Sequence, residues 1–266
     1  NCQPFITVAA LLKQAGVHVP EVLEQDVQQG FLLLSDLGNT TYAQAITTAS
    51  APSLYEQASH ALIKIQRASR PDVLPNYTQT LLQQELNLFD TWYLARHYQC
   101  TLSATQQAEL QTLYQLLLRN NLAQPHVYVH RDYHCRNLMV CLHDNPGILD
   151  FQDAVYGPIT YDLVSLWRDA YIEWPEAQQL DWLARYWQDA KQCGLPVAHD
   201  FGDFYRDYEW MGLQRHLKIL GIFARLYHRD GKDAYLQHLP RVLKYTRHVA
   251  QRYQEFKPLL AVLNLV

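Results

Sequence analysis

Residues 130–162 read HRDYHCRNLMVCLHDNPGILDFQDAVYGPITYD, and three polar side chains in that stretch carry its chemistry. Asp132 and Asn137 lie five residues apart, and Asp150 follows thirteen residues after Asn137. Leu138-Met139-Val140-Cys141-Leu142 is an apolar run that reads as a buried strand. His143-Asp144-Asn145-Pro146-Gly147 is turn chemistry, and Ile148-Leu149 resumes the apolar run. A hairpin is the economical reading. It sets Asn137, just before the outgoing strand, near Asp150, just after the returning one, because paired antiparallel residues lie about 5 Å apart. An amide oxygen and a carboxylate that close can share one hard cation, and Mg²⁺ takes oxygen ligands in an octahedron completed by phosphates and water. Asp132, on the preceding loop, stays available to accept a proton.

The order H-R-D-x-x-x-x-N over 130–137 matches the catalytic loop of phosphoryl-transfer enzymes of the protein-kinase type, and Asp150 stands where those enzymes keep a metal-binding Asp. The chain resembles the aminoglycoside phosphotransferase family, the small-molecule branch of the protein-kinase-like fold. Within it, HRDYHCRNLM, ILDFQDAVYGPITYDLVSLWRD and MGLQRHLKILGIFARLYHRDGK resemble a bacterial subgroup of sugar kinases. Those enzymes phosphorylate the anomeric hydroxyl of N-acetylmuramate and N-acetylglucosamine in peptidoglycan recycling. The likeness runs from about Phe5 to Arg252. It implies an α+β, two-lobed fold with a partial N-lobe and hinge over 1–37 and a mainly helical C-lobe over 38–266. It also implies ATP and Mg²⁺ as cofactors, Asp132 as base, Asn137 and Asp150 as metal ligands, and adenine bound at the hinge backbone of Leu34, Ser35, Asp36 and Leu37.

Composition agrees with an ordinary globular chain. Of 266 residues 48% are apolar and 18% charged, enough for a substantial core. A net charge of −4 argues for no nucleic-acid partner and no anionic membrane surface. Apolar runs such as Leu32-Leu33-Leu34 are far too short to span a bilayer, and no signal peptide is visible. Five widely spaced cysteines with no C-x-x-C read as reduced, buried residues, which points to the cytoplasm. Oligomeric state is not encoded in any of these features.

From the N-terminus, Phe5–Ala15 has a helical period stopped by Gly16; Val19–Leu23 and Phe31–Leu34 read as strands around a Gln28-Gln29-Gly30 turn. By resemblance these are the last pieces of a kinase small lobe. The Gly-rich phosphate loop and the strand carrying a phosphate-binding Lys are missing. The expectation is that a segment N-terminal to Asn1 is lacking from the chain; the rival is a non-catalytic pseudokinase that binds a sugar or nucleotide. Ser35-Asp36-Leu37-Gly38-Asn39 reads equally as hinge or as a plain strand-to-helix loop. Helices follow over Ser53–Ser69, with Ser53 and Glu56 as a capping box, then Thr80–Tyr98, Thr105–Asn120, Tyr208–Arg229 and Arg241–Arg252. Asp162 reads as the N-cap of Leu163–Ala170 and, by resemblance, steadies the catalytic loop from below.

Candidate acceptor-binding residues are His134 and Arg136 on the loop, Arg168, Asp169 and Trp174 in the aromatic and charged stretch 167–175, and Arg215 and Lys218 on the long helix. Sugars present apolar faces to aromatics and hydroxyls to carboxylates. Arg suits the lactyl carboxylate of N-acetylmuramate. A solvated helix end at 167–175 and a solvated basic face at 215–218 read the same residues without function. The same loop also admits His130, Asp132, His134 and Asp150 as zinc or iron ligands, a reading that leaves Asn137 idle and the Asp150 spacing accidental. The small-molecule partners expected are an amino sugar and ATP. An aminoglycoside, choline or another small alcohol is the alternative acceptor.

Overall fold

In the computed structural model, residues 2–266 are described, and they fall into two compact units. The first joins the chain up to Asn76 with Pro125–Phe204; the second joins Tyr77–Gln124 with Tyr205–Val266.

The first unit opens with helix α1 (Gln3–Gln14), which Gly16 ends in the left-handed region at φ +76°. Strands β1 (Val22–Asp26) and β2 (Phe31–Leu34) pair antiparallel, Asp26 opposite Phe31 and Val22 opposite Leu34, with an irregularity between Val22 and Glu24. The turn between them closes where Asp26 Oδ1 accepts from Gln29 N–H at 2.9 Å. β1 therefore lies three residues beyond the start expected at Val19. Leu23, Val27, Phe31 and Leu33 stand exposed on this hairpin.

After the short helix α2 (Tyr42–Ala45) comes α3 (Ala51–Arg67), whose Tyr55, Ala58, Leu62 and Ile65 form a buried stripe. The capping box expected at Ser53 does not form. Ser50 is the N-cap, its hydroxyl turned to the Ala45 carbonyl, and Pro52 in the first turn lets the helix begin two residues earlier. Strand β3 (His126–Val129) pairs with β6 (Val155–Pro158), and β4 (Leu138–Met139) with β5 (Gly147–Ile148). The expected apolar strand 138–142 is cut to two residues because Cys141 N–H turns to Asn145 Oδ1 at 2.9 Å, and Leu142 is left 99% exposed. Helices α6 (Tyr161–Trp167) and α7 (Glu176–Gln192) complete the unit.

The second unit is helical: α4 (Gln79–Leu88), a π-helical segment (Phe89–His97), α5 (Ala104–Ala123), most of α8 (Phe201–Asp230), α9 (Leu239–Arg252) and α10 (Lys257–Leu263). The single helix expected over 80–98 thus widens into π geometry after Leu88. That is the point where Gly221 of α8 packs on the chain: a Cβ there would lie 2.3 Å from the Leu88 carbonyl carbon. Glu85 is buried and gathers Lys218 Nζ at 2.8 Å, Gln214 Nε2 at 3.2 Å and the Tyr77 hydroxyl.

Asp90, the second residue of the π segment, accepts from the Tyr114 hydroxyl at 2.6 Å, and burial pushes its carboxyl up to about 6. An unfolded Asp titrates near 3.8, so the folded chain binds this proton more tightly. Stability from this group is lowest above pH 6, rises as pH falls through 6, and levels off below about pH 4. The burden at pH 7 is about 3 kcal/mol. Asp90→Asn should therefore raise the melting temperature at pH 7.5, and the gain should vanish by pH 4. A gain that did not change with pH in paired thermal melts would remove burial of the carboxylate as its cause.

Candidate active site

The loop between β3 and β4 is built on one buried carboxylate. Asp162, 1% exposed in the first turn of α6, accepts from His130 N–H at 2.7 Å through Oδ2 and from Arg131 N–H at 3.0 Å through Oδ1. Asp162 is not the N-cap, which is Thr160; two backbone donors of the loop claim its side chain instead. Those contacts hold Arg131 at φ +75°, a conformation a non-glycine residue adopts only when its surroundings impose it.

His130 is buried and structural, as expected. Its Nδ1 accepts from Asp132 N–H at 3.2 Å, so the ring proton sits on Nε2 and donates to the Leu149 carbonyl at 3.0 Å. Burial pushes its pKa down to about 4, with nearby Asp132 the main opposing influence, so the ring is neutral at physiological pH. Both nitrogens are engaged within the protein, which removes His130 from any zinc or iron cluster. Among the described residues no group of three or more His, Cys, Asp or Glu side chains is arranged to hold a metal.

The loop then coils tightly. The Asp132 carbonyl accepts from His134 N–H at 3.0 Å and from Asn137 Nδ2 at 3.0 Å, and the His134 carbonyl accepts from Asn137 N–H at 2.9 Å. The β4–β5 rungs pair Leu138 with Ile148 and Met139 with Gly147, and Leu149 N–H donates to the Asn137 carbonyl at 2.9 Å. The result is the juxtaposition expected of the hairpin: Asn137 Nδ2 lies 3.3 Å from Asp150 Oδ2. Asp150 is itself held at φ +63°, and Gln152 Nε2 donates to its Oδ1 at 2.8 Å. An amide and a carboxylate this close, beside the coil that carries half-buried Asp132, fit one hard cation that keeps most of its shell for phosphate and water.

The hinge candidates lie in extended chain after β2. Ser35 N–H donates to the Glu21 carbonyl at 2.9 Å, its hydroxyl accepts from Glu21 N–H at 2.8 Å, and Asp36 Oδ1 accepts from Gly38 N–H at 2.8 Å. Leu34 is half-buried beside them, and the Leu37 carbonyl faces Cys141 Sγ at 3.7 Å.

The acceptor candidates separate by location. His134 packs edge-on against Tyr171 with centroids 5.3 Å apart, and the exposed Arg136 sets its guanidinium carbon 3.6 Å from the centre of the same ring. Asp169, 2% exposed, accepts from Cys135 N–H at 3.2 Å and from Tyr171 N–H at 2.8 Å. The stretch 167–170 is not a solvated helix end: α6 stops at Trp167, and Arg168 runs inward to Gln179 Oε1 at 3.3 Å. Trp174 is core, donating to the Tyr55 hydroxyl at 2.9 Å. Arg215 and Lys218 belong to the second unit; both are buried, so the solvated basic face does not exist either. Two residues at the site were not singled out from sequence: Gln152, two positions after Asp150, and Tyr171, inside the aromatic stretch already marked.

A catalytic loop of this geometry on this fold defines a phosphoryl-transfer enzyme of the kinase-like class. Residues 1–208 match the family described as "APH: Phosphotransferase enzyme family", and the chain belongs to it. It is 48% identical over 259 residues to the N-acetylmuramate/N-acetylglucosamine kinase of Pseudomonas aeruginosa, covering 97% of this chain and 76% of that protein. It is 48% identical over 264 residues to the kinase of the same name from Neisseria meningitidis, covering 98% and 78%. Among solved structures, the choline kinase LicA from Streptococcus pneumoniae superposes with a TM-score of 0.66 at 13% identity over 93% of this chain and 81% of that one. The ADP-bound aminoglycoside phosphotransferase APH(2'')-Ib gives 0.59 at 14% identity over 93% and 82%. The fold is therefore the α+β, protein-kinase-like fold expected. Among the described residues no helix is long and apolar enough to cross a membrane.

Proposed function

We propose that this chain is an ATP-dependent kinase of amino sugars, phosphorylating the anomeric hydroxyl of N-acetylmuramate and N-acetylglucosamine in peptidoglycan recycling in the cytoplasm. The observation that carries the reading is the approach of Asn137 to Asp150 across the hairpin, with the Asn137 amide also bonded to the Asp132 carbonyl. The 48% identity to two kinases with that name supports the acceptor. In this reading the small lobe and hinge occupy 1–37, the large lobe 38–266, and adenine meets the backbone of Leu34–Leu37.

Asp132 orients the sugar hydroxyl and takes its proton as that oxygen attacks the γ-phosphorus. The bond to the β–γ bridging oxygen breaks, and ADP leaves. Mg²⁺ held by Asn137 and Asp150 supplies charge neutralisation at the phosphates when bound. Gln152 keeps Asp150 turned toward Asn137. Of the acceptor candidates, His134, Arg136 and Asp169 adjoin this loop; Arg168, Trp174 and Lys218 have buried partners that give them packing roles, and Arg215 is buried likewise.

The test is ³¹P NMR of each sugar with MgATP and full-length protein. A new anomeric sugar-phosphate resonance is expected, and Asp150→Ala should raise the Mg²⁺ needed for half-maximal rate by at least about tenfold. ADP without a sugar phosphate would discard the acceptor. An unaltered Mg²⁺ requirement would move the metal elsewhere.

A further inference from the structure

We infer that the cavity lined by Asp90 in the second unit is a binding site for a small organic cation, a primary ammonium carried on an apolar body. The inference goes beyond the kinase reading and does not depend on it. The residues that line the cavity lie within 90–111, whereas the catalytic loop belongs to the first unit.

The cavity has a volume of about 330 Å³ and is lined from the π-helical segment, from α5 and from the chain that joins them. That is at the lower end of the range that takes small ligands. Leu94 and Leu110 are buried in its wall, and Cys100 and Leu102 are half-buried beside them. Against these apolar groups stands one charge, the half-buried Asp90. Its two partners are neutral donors. The Tyr114 hydroxyl reaches Oδ1 at 2.6 Å, and Gln111 Nε2, itself in the cavity lining, reaches Oδ2 at 3.4 Å. No cation among the described residues pairs with this carboxylate, and burial alone pushes it up to about 6, so it is still mainly ionised at pH 7.5. A carboxylate oxygen accepts more than one hydrogen bond, so Oδ2, met only by the long Gln111 contact, has room for a further donor. A perturbed carboxylate in a cleft marks a binding site more often than a packing residue. Asp90 also stands in a π-helical segment, a geometry that recurs at functional positions. A bare divalent ion would need about six oxygen ligands, and the cavity offers it a single carboxylate. An ammonium on an apolar body uses both features of the lining: its charge meets Asp90, and its body covers the leucines.

The experiment titrates full-length protein at pH 7.5 with benzylammonium, and with benzyl alcohol as its uncharged counterpart, following binding by NMR. Wild type should bind benzylammonium at least about tenfold more tightly than benzyl alcohol, and Asp90→Asn should lose that advantage. The melting temperature of wild type should rise with benzylammonium concentration, while that of Asp90→Asn, which lacks the uncompensated charge, should not. Asp90→Asn is expected to fold at least as well as wild type, so loss of binding in it does not reflect unfolding. Cys100→Phe, which sets a ring in the cavity wall and leaves the carboxylate in place, should weaken the same binding. Equal affinity of wild type for the two probes would overturn the inference. So would undiminished binding of benzylammonium to Asp90→Asn or to Cys100→Phe, or no binding of it to wild type.

Discussion

Asp132→Asn should lower kcat by about 10²–10⁴ and leave nucleotide affinity and melting temperature close to wild type. The range is that of a positioned general base, about 3–5 kcal/mol of barrier. The structural half of the expectation follows from the loop. The fold uses the backbone of residue 132: its N–H reaches His130 Nδ1 and its carbonyl accepts from His134 and Asn137. Asn preserves all three backbone contacts and the side-chain shape, and removes the negative charge together with the capacity to take a proton. Turnover by coupled ADP release, measured beside nucleotide binding, separates the two effects. A variant with wild-type turnover would strike Asp132 from the chemistry.

Gly221→Ala should lower the melting temperature by roughly 5–10 °C, an effect on folding rather than on catalysis. In open space alanine would stabilise a helix by about 1 kcal/mol over glycine. Here its methyl would lie 2.3, 2.5 and 2.6 Å from the carbonyl carbon, carbonyl oxygen and Cβ of Leu88. Backbone cannot rotate away as a side-chain end can, so α8 and α4 must separate, at about 3 kcal/mol or more. Gly202→Ala on the same helix is the comparison: its closest neighbour is Asp200 Oδ1 at 2.9 Å, a side-chain oxygen that can shift at the cost of its 3.1 Å bond from Asp203 N–H, whereas Leu88 presents backbone. Thermal melts of the pair should diverge; equal behaviour would show that Leu88 yields.

What could be read from sequence was what depends on local pattern. The 138–149 hairpin was legible because turn residues interrupt an apolar run, and through it the approach of Asn137 to Asp150. His130 was legible as structural because it stands two residues before Asp132 and follows a buried strand. What failed depended on competition for one side chain. Asp162 has the right chemistry for an N-cap, yet two loop amides 31 and 32 residues away in sequence take its oxygens. Ser53 and Glu56 carry the spacing of a capping box, but Pro52 admits an earlier start. Trp174 and Lys218 look like surface binders in sequence; only the partners Tyr55 and Glu85, distant along the chain, show them to be interior. Tyr171 was hidden for the same reason, since nothing local announces that a ring there will carry Arg136.

The two-rung β4–β5 hairpin is tied at both ends to the N-terminal stretch of the chain. Ile148 N–H donates to the His18 carbonyl and Val140 N–H to the Thr40 carbonyl, each at 2.8 Å, while Ala43 N–H donates to the Cys135 carbonyl at 2.9 Å. At its centre, Gly147 leaves no room for a methyl against Leu37 and Cys141, each 2.9 Å from where one would sit. Strand pairing this short has almost no rigidity of its own. Its alignment is borrowed from the segment after β2, so a strand that contributes two rungs acts as a gauge: whatever displaces 37–41 resets the spacing between the amide and carboxylate that flank it. On the proposed assignment of these residues, loading of the cation and seating of the nucleotide are then expected to be one mechanical event.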